Sequence, residues 1–208
     1  MHLPHLIGIA GPSGAGKTAL ARCLAKKLSE HASVILSIDS YYLDLPQTAV
    51  KTEQLLNFDT PKALDLELLV SHIHQLAAGQ SIERPVYDFH THTRMPRTEK
   101  VNPGKIVVAE GLLALYLKEV RVLLGTRVFV KADNETCLRR RLRRDIKERN
   151  RNERSVREQW EKTVRPMFKR YIQPTQRYAN IVVDGTAPLE QIASVVLQEI
   201  TLNIQRSE

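Results

Sequence analysis

One glycine-rich loop constrains this chain more than any other stretch of its sequence. Residues 11–18 read GPSGAGKT, follow an apolar run and open a helical pattern, which matches G-x-x-x-x-G-K-[ST] in a strand–loop–helix context. Such a loop can turn its backbone N–H groups toward phosphate oxygens, and the helix N-terminus adds positive potential. We expect Lys17 to reach the β- and γ-phosphates and the Thr18 hydroxyl to ligate Mg²⁺. The predicted phosphate-binding residues are Gly11, Ser13, Gly14, Ala15, Gly16, Lys17 and Thr18.

Short β-branched runs alternate with helical patterns through the rest of the chain. The predicted strands are near-continuous apolar runs, typical of strands buried on both faces of a parallel sheet: 6–10, 34–38, 106–109, 128–130 and 181–183. The predicted helices are 17–29, 61–78, 134–148, 155–178 and 188–204. The alternation predicts an α/β fold of the P-loop NTPase kind, a doubly wound parallel sheet flanked by helices, with ligands at the carboxyl ends of its strands. Pro166 and Pro174 are expected to kink or break the fourth helix.

Length and composition are those of an ordinary globular protein. The 208 residues are enough for one domain, which we expect to span residues 1–208. No apolar run approaches the roughly 20 residues that a membrane helix needs, and we do not expect the N-terminus to act as a signal peptide. Cys23 and Cys137 lie far apart and give no disulfide framework, so we expect reduced thiols and a cytoplasmic location.

The positive charge of the chain is concentrated in one segment. Residues 131–170 hold 15 Lys/Arg and 7 Asp/Glu, whereas the rest of the chain holds 16 of each and is neutral. Such a segment suits a polynucleotide, an anionic membrane or a phosphate-rich small ligand. Leu138, Leu142 and Ile146 recur at helical spacing and are the predicted core face, with the arginines directed elsewhere. Taken alone, this pattern would predict a charge-rich solvated face of a helix. Together with the other motifs of the chain it favours an Arg-rich helical lid at about 139–160, whose guanidinium groups would surround phosphate oxygens and exclude water.

Two carboxylates follow predicted strands and are therefore expected at the sheet edge that binds phosphates. Asp39 follows the strand that we expect next to the P-loop strand, where it can accept the proton of an attacking hydroxyl or ligate Mg²⁺. Glu110 ends the 106–109 run and is a candidate Mg²⁺ ligand, directly or through water. The GTPase elements D-x-x-G and N-K-x-D do not occur in the sequence, which argues against a GTPase switch.

Residues 82–101 match neither the buried-strand pattern nor the helical pattern of the rest of the chain. Their alternation, with a turn region at TRMPRTEK, predicts a small inserted β-hairpin lobe. His90 and His92 would share one face of a strand, but a metal site needs a third ligand and no cysteine or further histidine lies nearby in sequence. The segment alone leaves open an ordinary polar strand or a hydrogen-bonding clamp for a substrate, and His90 is interpreted as structural.

Five stretches, in this order, resemble the uridine kinases of the P-loop kinase group. They are NFDTPKALD (57–65), RPVYDFHTHTR (84–94), EGLL (110–113), RRDIKERNR (143–151) and VRPMFKRYIQPTQRYANIVV (164–183). Each motif alone is modest, but their order and spacing cover nearly the whole chain. The resemblance implies the P-loop kinase fold with a nucleoside-binding hairpin lobe at 82–101.

The resemblance also implies which residues bind the acceptor. Asp59 would bind the ribose hydroxyls together with Arg141. Tyr87 and His92 would contact the edge of the pyrimidine ring. The residues that complete the pocket would be Arg151 and Gln159.

The reaction implied is transfer of the γ-phosphoryl group of ATP or GTP to uridine, and also to cytidine, giving UMP or CMP. Asp39 would activate the 5′-hydroxyl as a base, with Lys17 and Arg144 as the other catalytic groups. Arg144 and Arg149 would close on the donor phosphates, and the Mg²⁺ ligands would be Thr18, Glu110 and Asp39. Uridine kinases are often tetramers, so a homo-oligomer (tetramer or dimer) is implied, with no polynucleotide and no membrane as partner.

Three positions depart from the pattern of that family. Thr60 replaces a frequent histidine, Asn150 replaces a glycine between the last two lid arginines, and VVDGTAP replaces a more basic ending after the final strand. The last departure leaves ATP or GTP open as donor. A kinase for another small alcohol, similar to phosphoribulokinase or pantothenate kinase, is the alternative, and a nucleotide-regulated RNA-binding protein is a remote one.

Overall fold

The computed structural model describes residues 3–44 and 57–205, whose strands form a five-stranded and a two-stranded sheet. The strands are β1 (His5–Ala10), β2 (Ser33–Ser37), β3 (Ile82–Asp88), β4 (Thr93–Val101), β5 (Ile106–Glu110), β6 (Thr126–Lys131) and β7 (Ile181–Asp184). The larger sheet has the order β2-β5-β1-β6-β7, and all of its pairs are parallel. Every residue of β5 is buried, as expected for a strand covered on both faces.

Helices cover both faces of this sheet, which confirms the predicted α/β fold. They are α1 (Lys17–Lys27), α2 (Leu66–Ala77), α3 (Lys118–Arg121), α4 (Asn134–Arg149), α5 (Glu153–Gln159), α6 (Arg165–Met167) and α7 (Leu189–Gln205). Successive residues of β5 enter different cores: Val107 packs in the cluster that includes α2, and Val108 in the cluster that includes α1 and α7. None of the helices in the described ranges combines the length and apolarity needed to cross a membrane.

The order of the strands corrects one expectation. β5 lies between β2 and β1, so Asp39, which follows β2, is two strands away from the P-loop strand rather than next to it. Glu110, the last residue of β5, is the carboxylate beside the P-loop strand. Both still lie at the carboxyl edge, where ligands bind in sheets of this kind.

The segment 160–178 is more continuous than its prolines predict. After α5 the chain continues through a π-helical turn at Trp160–Val164, α6, a second π-helical turn at Phe168–Ile172 and a 3₁₀ segment at Gln173–Tyr178. A wider turn shifts the hydrogen-bonding partners, so the missing N–H of Pro166 is tolerated without ending the helical path. The expected break at Pro174 appears as the tighter 3₁₀ segment.

The buried face of α4 is not the predicted one. Cys137, Arg141 and Asp145 are buried, whereas Leu138 and Leu142 are only partly covered and Ile146 is 43% exposed. The buried stripe is shifted by one residue because Arg141 and Asp145 form an ion pair of 3.4 Å inside the protein. Each also has other polar partners, Arg141 with Ser13 and Gln159 and Asp145 with Arg144. Hydrophobic spacing alone could not reveal this, since buried charges are rare unless they are paired.

The predicted hairpin lobe is present as β3 and β4, paired antiparallel, but its turn lies elsewhere. TRMPRTEK is strand rather than turn, and the chain reverses at residues 89–92. His90 and His92 therefore do not share a strand face. His92 has a φ of 58°, a left-handed conformation that interrupts the alternation of side chains along a strand.

His72 is buried, although the spacing of His72 and His74 on a helix predicts two surface histidines. Its Nδ1 lies 2.8 Å from the hydroxyl of Tyr41, at the end of the 3₁₀ turn Ile38–Tyr41, while His74 is exposed as predicted. Burial lowers the pKa of His72 below 6.5.

A decline in stability at acid pH should follow from this burial. Below about pH 6.5 the unfolded chain takes up a proton at His72 that the folded protein resists, so the free energy of unfolding should fall as the pH falls. His72→Gln should reduce that slope, by at most about 1.4 kcal/mol per pH unit for one proton. Urea unfolding between about pH 5.5 and about pH 7.5 measures it. His74→Gln on the same helix is the control, and an equal change in both variants would contradict the assignment.

Candidate active site

A cavity of about 270 Å³ opens at the carboxyl edge of the sheet. It brings together the P-loop, the turn after β2, the end of β5, the hairpin turn and the arginines of α4 and the segment after it. The predicted residues that line it are Ser13, Gly14, Gly16, Lys17, Thr18, Asp39, Asp59, His92, Glu110, Arg141, Arg144, Arg149 and Arg151.

The P-loop has the conformation that its glycines predict. Gly14 has a φ of 84°, and a Cβ there would lie 2.4 Å from the carbonyl oxygen of Cys137 in α4. Glycine is therefore required both by the backbone and by the close approach of another element. Lys17 is buried and donates to the carbonyl of Pro12 at 2.9 Å. Burial lowers the pKa of Lys17, while the nearby carboxylates of Glu110 and Asp39 favour its charged form.

The groups that could hold Mg²⁺ surround Glu110. This side chain is 4% exposed, and its two oxygens accept hydrogen bonds from Thr18 Oγ1 at 3.2 Å and Ser37 Oγ at 3.1 Å. Burial and the negative charge of Asp39 raise the pKa of Glu110, whereas Lys17 lowers it. Two carboxylates and a hydroxyl form an all-oxygen donor set, which suits Mg²⁺ held by one or two carboxylates together with substrate phosphates. The residues present therefore fit the ion.

Opposite the P-loop the cavity has aromatic walls. Tyr42, Phe58 and Phe89 line it, with ring centroids 5.4 Å apart for Tyr42 and Phe58 and 6.3 Å apart for Tyr42 and Phe89. The imidazole of His92 packs on Phe58 at 5.0 Å. Such walls can hold a flat ring.

Three buried polar atoms around these walls have no hydrogen-bond partner among the described residues. They are Asp59 Oδ2, His92 Nδ1 and the Tyr87 hydroxyl. Burial raises the pKa of Asp59, and nearby Arg141 lowers it. Burial, followed by the charges of Arg151 and Arg149, lowers the pKa of His92, so its imidazole is neutral at pH 7. Buried polar groups are normally paired, so the two atoms that belong to cavity-lining residues, Asp59 Oδ2 and His92 Nδ1, are candidate partners for a polar ligand.

Arg94, a residue of the hairpin lobe, anchors the turn that contains Asp39. Its guanidinium donates to the carbonyls of Tyr41 at 3.0 Å and Tyr42 at 2.8 Å, and it forms an ion pair of 3.0 Å with Asp65, the N-cap of α2. The base candidate and the hairpin are thereby joined by one side chain.

Four arginines of the predicted lid line the cavity, namely Arg141, Arg144, Arg149 and Arg151, whereas others, such as Arg143, are exposed. Arg141 donates to Ser13 Oγ in the P-loop at 2.9 Å and to Gln159 Oε1 at 2.8 Å, and Arg151 donates to the same Gln159 oxygen. The guanidinium of Arg149 lies 4.1 Å above the ring of Phe89. Arg144 pairs with Asp145 and not with the sequence neighbour Glu148.

A second cavity lies on the outer side of the P-loop. Arg140 donates there to the carbonyl of Gly185 at 2.9 Å, and a Cβ on Gly185 would lie 2.1 Å from the carbonyl oxygen of Ala15. The loop after β7 therefore touches the P-loop directly. Ala15, predicted for the phosphate site, lines this second cavity, together with apolar residues that include Ala187 and Ile192.

Three other predicted residues lie outside the lining of the main cavity in the described structure. Gly11 packs against Val130, Tyr87 lies behind the aromatic wall, and Gln159 lies behind Arg141 and Arg151. The prediction missed several contributors: Ser37, Tyr42, Phe58, Phe89, Arg140 and Asp145. Phe58 and Phe89 lie within two of the motifs on which the resemblance rests, so the sequence could have identified them as candidate pocket residues.

The sequence and the fold of this chain are similar to those of known proteins. The sequence model of the "Phosphoribulokinase / Uridine kinase family" matches residues 6–192. A protein named "Uridine kinase" from Clostridium tetani is 37% identical over 205 residues, covering 99% of this chain and 98% of that protein. One of the same name from Lactobacillus helveticus is 42% identical over 181 residues, covering 86% of each. Phosphoribulokinase from Rhodobacter spheroides has a similar fold, with a TM-score of 0.65 at 10% identity over 88% of this chain and 71% of that one.

Proposed function

Since this chain belongs to the phosphoribulokinase/uridine kinase family, we propose that it transfers the γ-phosphoryl group of ATP to the 5′-hydroxyl of uridine. Cytidine is a second acceptor in this proposal, and UMP and CMP are the products. Pyrimidine salvage would be the use of such a reaction.

The pocket opposite the P-loop is the observation that carries the proposal. It combines aromatic walls with the unpaired atoms Asp59 Oδ2 and His92 Nδ1. A nucleoside supplies matching groups, since ribose hydroxyls can donate to the carboxylate and a pyrimidine edge can pair with the imidazole. The base and the sugar would thus satisfy the buried atoms that the described protein leaves without partners.

The chemistry follows from the residues around the phosphates. Asp39 accepts the proton of the 5′-hydroxyl as its oxygen attacks the γ-phosphorus, and the bond between that phosphorus and the β–γ bridging oxygen breaks. Lys17 and Arg144 stabilise the charge on the phosphate oxygens. Mg²⁺, held by Glu110, Thr18 and Asp39, would neutralise phosphate charge when bound.

The second cavity suits the base of the donor nucleotide. It adjoins the P-loop at Ala15 and Gly16 and is lined by apolar side chains and by Arg140, whose guanidinium can stack on a purine ring. The loop after β7, where the sequence departs from the family pattern, forms one side. We propose ATP as donor, with GTP as the alternative that competition binding would separate.

The surroundings of the acceptor pocket weigh against the other two candidates. A phosphorylated sugar would not need walls formed by Tyr42, Phe58 and Phe89, whereas a flat base does. The RNA-binding alternative depends on the basic segment, but four of its arginines line the cavity, where they are available to phosphate groups: Arg141, Arg144, Arg149 and Arg151.

Replacement of His92 should weaken uridine binding selectively. His92→Ala removes one hydrogen-bonding partner of the pyrimidine, so KM for uridine should rise about three- to tenfold, with KM for ATP unchanged. Because burial lowers the pKa of His92 below 6.5, any rise in the wild-type KM caused by protonation of this side chain should have its midpoint below pH 6.5. Steady-state kinetics with each substrate varied measures both.

His90→Ala is the matched control, because His90 is exposed in the same turn. It should change neither KM. Equal rises in both KM values for His92→Ala would remove His92 from the acceptor site.

A panel of acceptors tests the proposed function as a whole. ADP release with ATP and Mg²⁺ should require uridine or cytidine, and adenosine, ribulose 5-phosphate and pantothenate should be inactive. Turnover of either of the last two alone would keep the phosphate site and overturn the nucleoside pocket. The cytoplasmic location, the homo-oligomeric state and the single domain over 1–208 stay predictions.

A further inference from the structure

Asp145 on α4 is the most enclosed charged group near the site. Its side chain is fully buried, and four arginines lie within ion-pair distance of its two carboxylate oxygens. The N–O distances are 2.7 Å for Arg144, 3.4 Å for Arg141, 3.5 Å for Arg151 and 3.9 Å for Arg149.

The charges around Asp145 do not balance. Burial raises the pKa of its carboxyl group, but Arg144, Arg141 and Arg149 outweigh this and hold that pKa below its ordinary value. One negative charge thus faces four positive ones. The excess of cations is directed at the cavity, which all four arginines line.

The four arginines reach different walls of the cavity. Arg141 contacts Ser13 of the P-loop, and Arg149 lies over Phe89 of the hairpin turn. Arg151 is further fixed through its backbone N–H, which donates to the carbonyl of Asp145 at 3.1 Å. Asp145 is therefore the shared partner of side chains that would otherwise repel each other.

We propose that Asp145 is a positioning residue: before the donor binds, its carboxylate substitutes for the negative charge of the phosphate chain and holds the four guanidinium groups in place. The proposal rests on the proposed function only in requiring a phosphate donor. Asp145 touches no substrate in this account and acts through the arginines.

Two opposite effects follow from removing this charge. Without the carboxylate the arginines lose a competing anion, so a bare phosphate chain should bind more tightly. Their geometry is lost as well, and small displacements of charge-stabilising groups slow phosphoryl transfer. A purely structural role would instead weaken binding and turnover together.

Asp145→Asn in the full-length protein, which keeps the shape of the side chain, tests the proposal. Calorimetry with sodium tripolyphosphate, without Mg²⁺ or nucleoside, should show affinity higher on the order of tenfold. With ATP and uridine, kcat should fall on the order of tenfold or more. Glu148→Gln is the matched control, since it removes the same charge from an exposed position of the same helix and should change neither value.

Asp145→Glu covers the case in which the asparagine variant does not fold. It keeps the charge but displaces it, so kcat should fall while tripolyphosphate affinity stays within about threefold of the wild type. Unchanged or weaker tripolyphosphate binding in a folded Asp145→Asn protein would overturn the proposal, and so would an unchanged kcat. If only Asp145→Glu folds, an unchanged kcat in that variant would likewise overturn the proposal. If the proposed acceptor is wrong, the wild-type protein will not phosphorylate uridine. The tripolyphosphate affinities of the wild type and the variants can still be compared in that case, because this measurement uses no nucleoside.

Discussion

Asp39→Asn should lower kcat for uridine phosphorylation by about 10²- to 10⁴-fold, the range typical of losing a general base. Asparagine keeps the size and polarity of the side chain, but it cannot accept the proton of the 5′-hydroxyl. Asp39 lines the cavity from the first part of the 3₁₀ turn Ile38–Tyr41, which follows β2. Uridine affinity, measured by calorimetry, should stay close to that of the wild type because the unpaired groups of Asp59 and His92 remain.

Two results would contradict the role of Asp39. Turnover within about threefold of the wild type would show that another group takes the proton. Loss of uridine binding equal to the loss of kcat would show that Asp39 binds the ground state rather than acting in the transfer.

Lys17→Met should remove activity almost completely, with kcat/KM for ATP lower on the order of 10³-fold or more. Lys17 is the cation at the centre of the P-loop, and no neutral side chain replaces its charge on the β- and γ-phosphates. The same change should not destabilise the unliganded protein. Lys17 is buried, and burial already lowers its pKa, so methionine at this position avoids burying a charge.

Urea unfolding together with kinetics separates these effects. Lys26→Met, in the exposed last turn of the same helix, is the control and should leave activity unchanged. A Lys17→Met protein that unfolds at much lower urea would show that Lys17 is chiefly structural.

Local features of the fold could be predicted because they depend on neighbouring residues. The P-loop needs glycines at fixed positions between a strand and a helix, and Gly14 and Lys17 lie where that pattern places them. Asn150 illustrates a departure that the structure explains. It ends α4 with a φ of 50°, a left-handed conformation that suits glycine and that asparagine tolerates. The turn between the last two lid arginines is therefore kept.

Features that depend on distant contacts were not predictable in the same way. The order of strands placed β5 beside β1, although β2 comes earlier in the chain. The resemblance assigned Arg141 to the pocket, and Arg141 lines the cavity. Helical spacing nevertheless placed the core face of α4 on Leu138, Leu142 and Ile146, because no hydrophobicity pattern reports a buried ion pair between Arg141 and Asp145. The contacts of Arg94 with two backbone carbonyls leave no trace in the sequence at all.

Phosphorus-31 NMR of a reaction with ATP, Mg²⁺ and uridine tests the central claim most directly. We predict one new monoester signal that matches UMP phosphorylated at the 5′-oxygen, formed in step with ADP. With 5′-deoxyuridine, which lacks the attacking hydroxyl, no phosphorylated nucleoside and no additional ADP should form. ADP produced without uridine, or phosphate found on any other position of the nucleoside, would contradict the account.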